Sequence, residues 1–311
     1  MNYYKMIDDE NIDILEKRMN EYDKPFCWQY QIRVNNLEED LQAIPLAFRK
    51  FFKENYKNFT VSDFCFRPIV TEHGKEEAVN FIKRHEWLGT ITQYTTHYFG
   101  CYIKEVLAGV ILFSMPNSFS KLLGDDTKHL ERLISRGACI SWSPKCLASA
   151  FLMWCIRWMV DNTEYRLFTA YSDPMAKELG TIYQSCNFYY LGQKSGTTTR
   201  YINPYTGKIV SDRFFRTRSA YKRYAKELGI KWKSEWISGD SVIRWDIIPN
   251  EIEYALRKMS KEKQLNADKI EFPPKHKYAY VLGRTKGETK KLRKEFLSRN
   301  KIYDYPKDRG V

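Results

Sequence analysis

The sequence has no Walker-type phosphate loop, no GxGxxG and no GxSxG. Nothing in it therefore reads as a P-loop nucleotidase, a dinucleotide-binding oxidoreductase or a serine hydrolase with a nucleophile elbow. Histidine is scarce: His73, His85, His97, His129 and His276 include no HxxxH or HxH pair, so no metal site is legible. No run approaches the roughly 18 consecutive apolar residues that span a bilayer. The first residues, Met1-Asn2-Tyr3-Tyr4-Lys5, lead into the acidic Asp8-Asp9-Glu10 rather than an apolar segment, which is unlike a secretory signal. The 7 cysteines, from Cys27 to Cys186, show no CxxC pair and are odd in number. That pattern suits reduced thiols in a cytoplasm, not a disulfide framework.

What the chain does have is enough apolar material for a core, and an uneven charge. Of 311 residues, 43% are hydrophobic and 29% charged, which is a globular composition. The net charge is +13. Residues 1–150 and 151–192 each carry −1, residues 193–233 carry +9, residues 234–250 carry −2 and residues 251–311 carry +8. The whole excess thus follows residue 192. A near-neutral body with a basic C-terminal third is the layout of a protein that docks on a polyanion. Aromatics interleave with the basic residues (Phe214, Phe215, Tyr221, Tyr224, Trp232), as base or sugar contact requires and solubility alone does not.

Periodicity predicts the elements. Residues 1–65 read as an N-terminal extension, with helical spacing from Leu41 to Tyr56 interrupted at Pro45. A helix is expected over Glu76–Trp87, stopped by Gly89. Strands Thr96–Ile103 and Val106–Ser114 flank Lys104-Glu105 and read as a hairpin, although Lys-Glu is not a favoured tight-turn pair. Then follow a strand Leu130–Arg136, a long helix from Ser143-Pro144 to Met159, a strand Leu167–Tyr171, a helix Lys177–Ser185 and a strand Phe188–Leu191. After 193 the text is loop-rich, with basic helices at Ala220–Leu228 and Glu288–Ser298, a charged helix over 251–265 and a strand at Lys277–Leu282. The order predicts an α/β domain of about 120 residues.

Candidate chemistry sits at two junctions. At Ser143 a strand meets a helix N-terminus, where free amides, the helix dipole and Lys145 favour an anion. At Tyr171-Ser172-Asp173 a carboxylate lies just past the C-terminal end of a strand, where α/β sheets place ligands, and Tyr183 follows ten residues on. Asp173 equally suits a helix cap. His85 lies on an apolar helix face beside Glu86 and Trp87. Arg132 follows Glu131 in a strand, and a buried Arg needs an anionic partner.

Several segments together resemble a known family. They are Arg84-His85-Glu86-Trp87-Leu88-Gly89, Tyr98-Phe99-Gly100-Cys101-Tyr102-Ile103 running to Ala108-Gly109-Val110, Glu131-Arg132-Leu133, Tyr171-Ser172-Asp173, Gly180-Thr181-Ile182-Tyr183-Gln184-Ser185-Cys186-Asn187-Phe188, Leu191-Gly192 and Lys275-His276-Lys277-Tyr278. Their order and spacing resemble the Mom proteins of bacteriophages, DNA adenine-modification enzymes with a GNAT (acetyltransferase-like) fold. Members convert adenine in duplex DNA to an N6-carbamoylmethyl derivative that shields phage DNA from host restriction. The resemblance covers about residues 78–193 and 275–280. It implies a GNAT-like mixed sheet flanked by helices; the N-terminal helical extension (1–65) lies outside it, and a catalytic domain (66–193) and a basic DNA-binding region completing it (194–311) follow.

The resemblance points to His85 (or its neighbours Glu86 and Trp87), Arg132, Asp173 and Tyr183 as the catalytic set. Ser143, Lys145 and Ser149 become candidates for the donor, and Trp87 and Asn187 for the base. Arg213, Arg216, Arg218, Lys222, Arg223, Lys275, His276 and Lys277 become candidates for DNA phosphates. An acyl-CoA-type donor, double-stranded DNA, a homodimer and the host cytoplasm are the matching expectations. The sequence departs from the wider fold family at Ser135–Pro144, which lacks the Arg/Gln-x-x-Gly-x-Gly/Ala loop that cradles a CoA pyrophosphate. It departs from the family at Ser172, where Ala is more usual. The competing reading is a conventional acyltransferase acting on a protein, tRNA or small-molecule amine.

Overall fold

The computed structural model describes residues 27–89, 91–92, 94–195, 199–207, 209–210, 212–238 and 243–307. The first 26 residues of the expected extension lie outside these. Three short helices come first: α1 (Trp28–Asn35), α2 (Leu37–Gln42) and α3 (Leu46–Asn55). Pro45 separates α2 from α3, because it cannot donate to the preceding turn and its ring clashes there. Phe52 of α3 is fully buried against Phe59 and Trp142. The extension is thus part of the main core.

Strand β1 (Cys65–Pro68), helix α4 (Glu72–His85) and strands β2 (Thr95–Ile103), β3 (Val106–Ser114) and β4 (Glu131–Cys139) follow. The β2–β3 hairpin closes on Lys104 and Glu105, at φ 45° and 63°. Two left-handed residues match the twist of the flanking strands, so the unfavoured pair adopts the geometry that glycine and asparagine normally supply. Helix α5 (Leu147–Asn162), strand β5 (Leu167–Ser172), helix α6 (Thr181–Ser185) and strand β6 (Tyr189–Ser195) complete this stretch. Helix α5 begins at Leu147, not at Ser143. Two turns precede it, closed by the Ser143 amide on the Ile140 carbonyl and by the Leu147 amide on the Pro144 carbonyl, and Cys146 at φ 69° precedes the first helical residue.

Among the described residues, contacts divide the chain into two compact units. The second holds strands β7 (Thr199–Ile202) and β8 (Ile209–Val210), helices α7 (Arg218–Glu227) and α8 (Asn250–Leu265) and strand β9 (Lys269–Glu271). Its small core joins Tyr221, Tyr224 and Leu256 to Trp232 and Trp245, and β8-β7-β9 form a three-stranded sheet. Strand β10 (Lys275–Val281) and helix α9 (Lys286–Arg299) belong to the first unit.

The first unit is a seven-stranded sheet in the order β1-β2-β3-β4-β5-β10-β6. Every neighbouring pair is antiparallel except β4–β5, which is parallel. Helix α5 and the aromatic cluster of Phe99, Phe151 and Phe168 fill its core. This helix-flanked mixed sheet is the GNAT-like layout that the sequence implies.

Two irregularities shape the site. Strands β4 and β5 pair only from Glu131–Leu167 to Ile134–Ala170, although both run on. Beyond that point the sheet opens between them. At the same place the β3–β4 register slips by one, pairing Leu112 with Arg136 but Phe113 with Ile134. Ser135 is the extra, bulged residue. A bulge reverses the facing of everything after it, so Arg136 looks away from the side that Arg132 occupies.

Candidate active site

Where β4 and β5 part, six side chains converge: Glu86, Arg136, Asp173, Glu178, Tyr183 and Lys275. Each comes from a different local device. Glu86 follows the last residue of α4, and its Oε2 accepts the Gly89 amide at 2.7 Å. The carboxylate lies 4.0 Å from the Arg136 Nε. Burial raises the Glu86 carboxyl above its usual range, against the pull of Arg136.

Asp173 follows β5 and uses both of its oxygens. Oδ1 accepts the Met175 amide at 3.1 Å, capping a short turn of helix, and Oδ2 pairs with the Lys275 ammonium at 2.9 Å. The cap and the site are therefore one arrangement. Lys275 is brought there by register, since His276 of β10 sits opposite Ser172. Glu178 is tied back to Asp173 twice. Its amide donates to the Asp173 carbonyl at 3.1 Å, and its Oε2 accepts the Asp173 amide at 3.3 Å. Its other oxygen meets no protein donor among the described residues. Burial, then the neighbouring Glu86 and Asp173 carboxylates, push the Glu178 carboxyl up to about 8, with Lys275 opposing. At neutral pH this group holds a proton that an ordinary glutamate releases. Tyr183 packs at 5.3 Å from both Phe188 and Tyr278, and burial beside Glu178 and Glu86 raises its phenol.

The backbone that presents Glu178 is strained in a purposeful way. Lys177 and Gly180 both take left-handed φ, at 54° and 68°. A Cβ on Gly180 would fall 2.5 Å from the Tyr278 ring. Gln184 braces the turn by donating to the Leu179 carbonyl at 2.8 Å and to the Tyr278 hydroxyl at 3.3 Å.

A second set of contacts holds the Glu86 segment from outside. Gln29 of α1 donates to the His85 carbonyl at 2.6 Å and accepts the Trp87 amide at 3.0 Å, bracketing Glu86. Asn36 donates to the Arg84 carbonyl at 3.2 Å. Asp40, only 2% exposed, takes Arg84 at 2.8 Å and the Ser141 amide at 3.2 Å. Arg33 donates to the Ser141 and Ser143 carbonyls.

The expected site residues distribute as follows. Asp173 and Tyr183 are in the cluster, and Lys275 joins it as the partner of Asp173. His85 is buried between Phe81 (rings 4.2 Å apart) and Asp40 (3.6 Å), and burial lowers it to about 4, which keeps it neutral. Arg132 stacks on the Tyr165 ring at 3.7 Å and bonds the Tyr165 hydroxyl, four residues and about 13 Å along β4 from Arg136. Trp87 is buried edge-on to Trp28 at 5.5 Å, and Asn187 is exposed at φ 57°. Ser143 is buried, Lys145 is exposed, and the Ser149 hydroxyl donates to the Cys146 carbonyl at 3.0 Å. Lys277 lies over Tyr171 at 5.7 Å, and the buried His276 bonds the Tyr190 hydroxyl at 2.7 Å. In the second unit Arg216 pairs with Asp212 and Arg223 stacks on Tyr205 at 4.8 Å. There Arg213, Arg218 and Lys222 meet no carboxylate among the described residues.

The turn before α5 lacks three of the amides that a CoA pyrophosphate could use. The Ser141 amide is held by Asp40, the Ser143 amide by the Ile140 carbonyl at 3.1 Å, and Pro144 has none. No group of three or more His, Cys, Asp or Glu side chains suited to a metal occurs among the described residues. Nor is any helix there long and apolar enough to cross a membrane.

No curated protein matches the chain. Solved structures of similar layout include a GNAT family acetyltransferase from Elizabethkingia anophelis with acetyl-CoA bound (9% identity, 71% of this chain and 99% of that one, TM-score 0.30). Others are a probable acetyltransferase from Staphylococcus epidermidis (8%, 70% and 98%, 0.34) and FeeM, an N-acyl amino acid synthase from uncultured soil microbes (14%, 47% and 84%, 0.29). The model of the Mom protein family matches residues 67–307, a span that contains all six converging side chains. The chain belongs to the Mom protein family.

Proposed function

We propose that this protein is a group transferase that adds a small, carbamoylmethyl-type group to N6 of adenine in duplex DNA. The observation that carries the reading is the Glu178–Asp173–Lys275 arrangement within the family-matched region. The N6 amine is a poor nucleophile because its lone pair is delocalised into the ring; as its bond to the incoming carbon forms, the bond from that carbon to its carrier breaks, the carrier leaves with the electron pair, and N6 gives up a proton. Glu178 in its ionised form is the base, so the step quickens as pH rises towards about 8: one of its oxygens meets no protein donor among the described residues and its proton affinity is raised, whereas both oxygens of Asp173 are occupied. Asp173 and Lys275 fix the Glu178 loop. Arg136, beside Glu86, meets negative charge developing on the departing carrier. The adenine reaches this cleft by leaving the base stack. The carrier of the transferred group is not assigned to particular residues.

The test is mass spectrometry of nucleosides from plasmid DNA of cells expressing the protein, beside an empty vector and the Glu178→Gln variant. A new deoxyadenosine-derived peak is expected, reduced about 10²–10⁴-fold in the variant. A folded wild-type protein that leaves adenine unmodified overturns the reading and favours acylation of a protein, tRNA or small-molecule amine.

A further inference from the structure

Helix α9 carries a surface that the site does not use. A groove of about 770 Å³ runs along it, floored by Tyr189, Leu282 and Leu297. Lys286, Lys290 and Lys294 line it at four-residue intervals, which sets them on one helix face with about 6 Å between successive positions. All three are exposed, and none meets a carboxylate or a ring among the described residues. The other cations of the groove are committed elsewhere. Arg284 donates to the Val160 and Thr163 carbonyls, each at 3.1 Å, and Arg293 to the Val281 carbonyl at 3.1 Å. The nearby acid, Glu288, is taken by Arg166 at 2.7 Å and by the Arg284 amide at 2.7 Å. The groove therefore presents three unneutralised ammonium groups in a row over an apolar floor.

We infer that this α9 groove is a docking surface for the phosphate backbone of duplex DNA, distinct from the cleft in which Glu178 lies. The inference rests on the proposed DNA reading and adds to it a contact outside the modification site. A row of evenly spaced, unpaired lysines matches a regular polyanion, and lysine acts there as a point charge that reads no sequence. A membrane surface fits less well. An interfacial helix needs a broad apolar face, whereas Leu292 and Phe296 of α9 are turned into the core and Leu297, at 47% exposure, remains. Strand β10 runs from Lys275 at the cleft to Val281 just before the groove, a span of about 20 Å.

The experiment measures binding of a labelled short duplex by fluorescence anisotropy across about 50–200 mM salt. Wild type is compared with Lys286→Ala/Lys290→Ala/Lys294→Ala and with the control Lys50→Ala/Lys53→Ala/Lys57→Ala, the two triples losing the same charge. Alanine is a good helix former, so α9 itself persists. Loss of three phosphate contacts makes the slope of log K against log salt shallower by roughly 2–3 in the α9 triple and leaves the control unchanged. An unchanged slope in the α9 triple, with wild-type DNA modification intact, overturns the groove and spares the proposed function. Binding of anionic lipid vesicles or single-stranded RNA through these lysines, without the duplex, also overturns it. A wild-type protein that neither binds nor modifies duplex DNA overturns both.

Discussion

Replacing Glu178 with Gln tests the electrostatics of the cleft independently of any substrate. Gln keeps the size of the side chain and the acceptor for the Asp173 amide, and removes the titration. In the folded protein the carboxyl sits at about 8, against an ordinary value of 4.5. A raised carboxyl binds its proton more tightly folded than unfolded. Its contribution to stability is therefore fully present below pH 4.5 and is lost as pH rises through about 8. The full displacement is worth about 5 kcal/mol. Glu178 is only partly buried, so solvent screening reduces this to about 2–3 kcal/mol. Urea unfolding of both proteins at pH 5, 7 and 9 measures it, and titrating groups remote from the cleft cancel in the difference. The stability of the wild type relative to Glu178→Gln falls by about 2–3 kcal/mol between pH 5 and 9. Curves that stay parallel to within about 0.5 kcal/mol, or that diverge in the opposite sense, refute the placement of Glu178 beside Glu86 and Asp173.

Three further substitutions probe the supports of the site. Gly180→Ala forces a Cβ into the Tyr278 ring at a left-handed φ and costs about 2–4 kcal/mol by chemical denaturation. Ser172→Ala removes a buried hydroxyl that has no hydrogen-bond partner among the described residues and raises stability by about 1 kcal/mol, seen as a higher melting temperature. Asp40→Ala leaves the Ser141 amide without its acceptor and Arg84 with Glu39 alone, at 3.6 Å, and costs about 1–3 kcal/mol; it also raises hydrogen exchange at Trp87 and Ser141.

Much of the sheet was legible because its signals are local. The hairpin, α4, β5, α7 and α8 follow from alternation, helical spacing and glycine stops within a few residues of where they were expected. The site was legible only in part. Asp173 and Tyr183 announce themselves by a strand end and a spacing. Arg136 does not, because strict alternation assigns it the same face as Arg132, and the bulge at Ser135 that separates them leaves no sequence mark. Glu178 was hidden inside an expected helix, Lys177–Ser185, on which it would be an ordinary surface residue. Left-handed turns at Lys177 and Gly180 delay that helix to Thr181 and turn Glu178 inward. His85 draws attention as a lone imidazole, yet its contacts are with Phe81 and Asp40. Asp40 lies 45 residues away in a stretch whose pattern reads only as amphipathic helix. Contacts at such separations, like those of Gln29 and Arg33, have no local signature.

The strand order also fixes a timetable for synthesis. β10 lies between β5 and β6, yet it leaves the ribosome after both of them and after the whole of the second unit. The nascent sheet must keep a strand-wide gap open beside β5, with the edges of β5 and β6 unpaired, until residues 275–281 arrive. Lys275 comes with that strand, so until then Asp173 has no counter-ion. The chain can hold most of its core before the cleft is complete, and its vulnerable interval, when chaperones or proteases find open edges, falls late in translation rather than early.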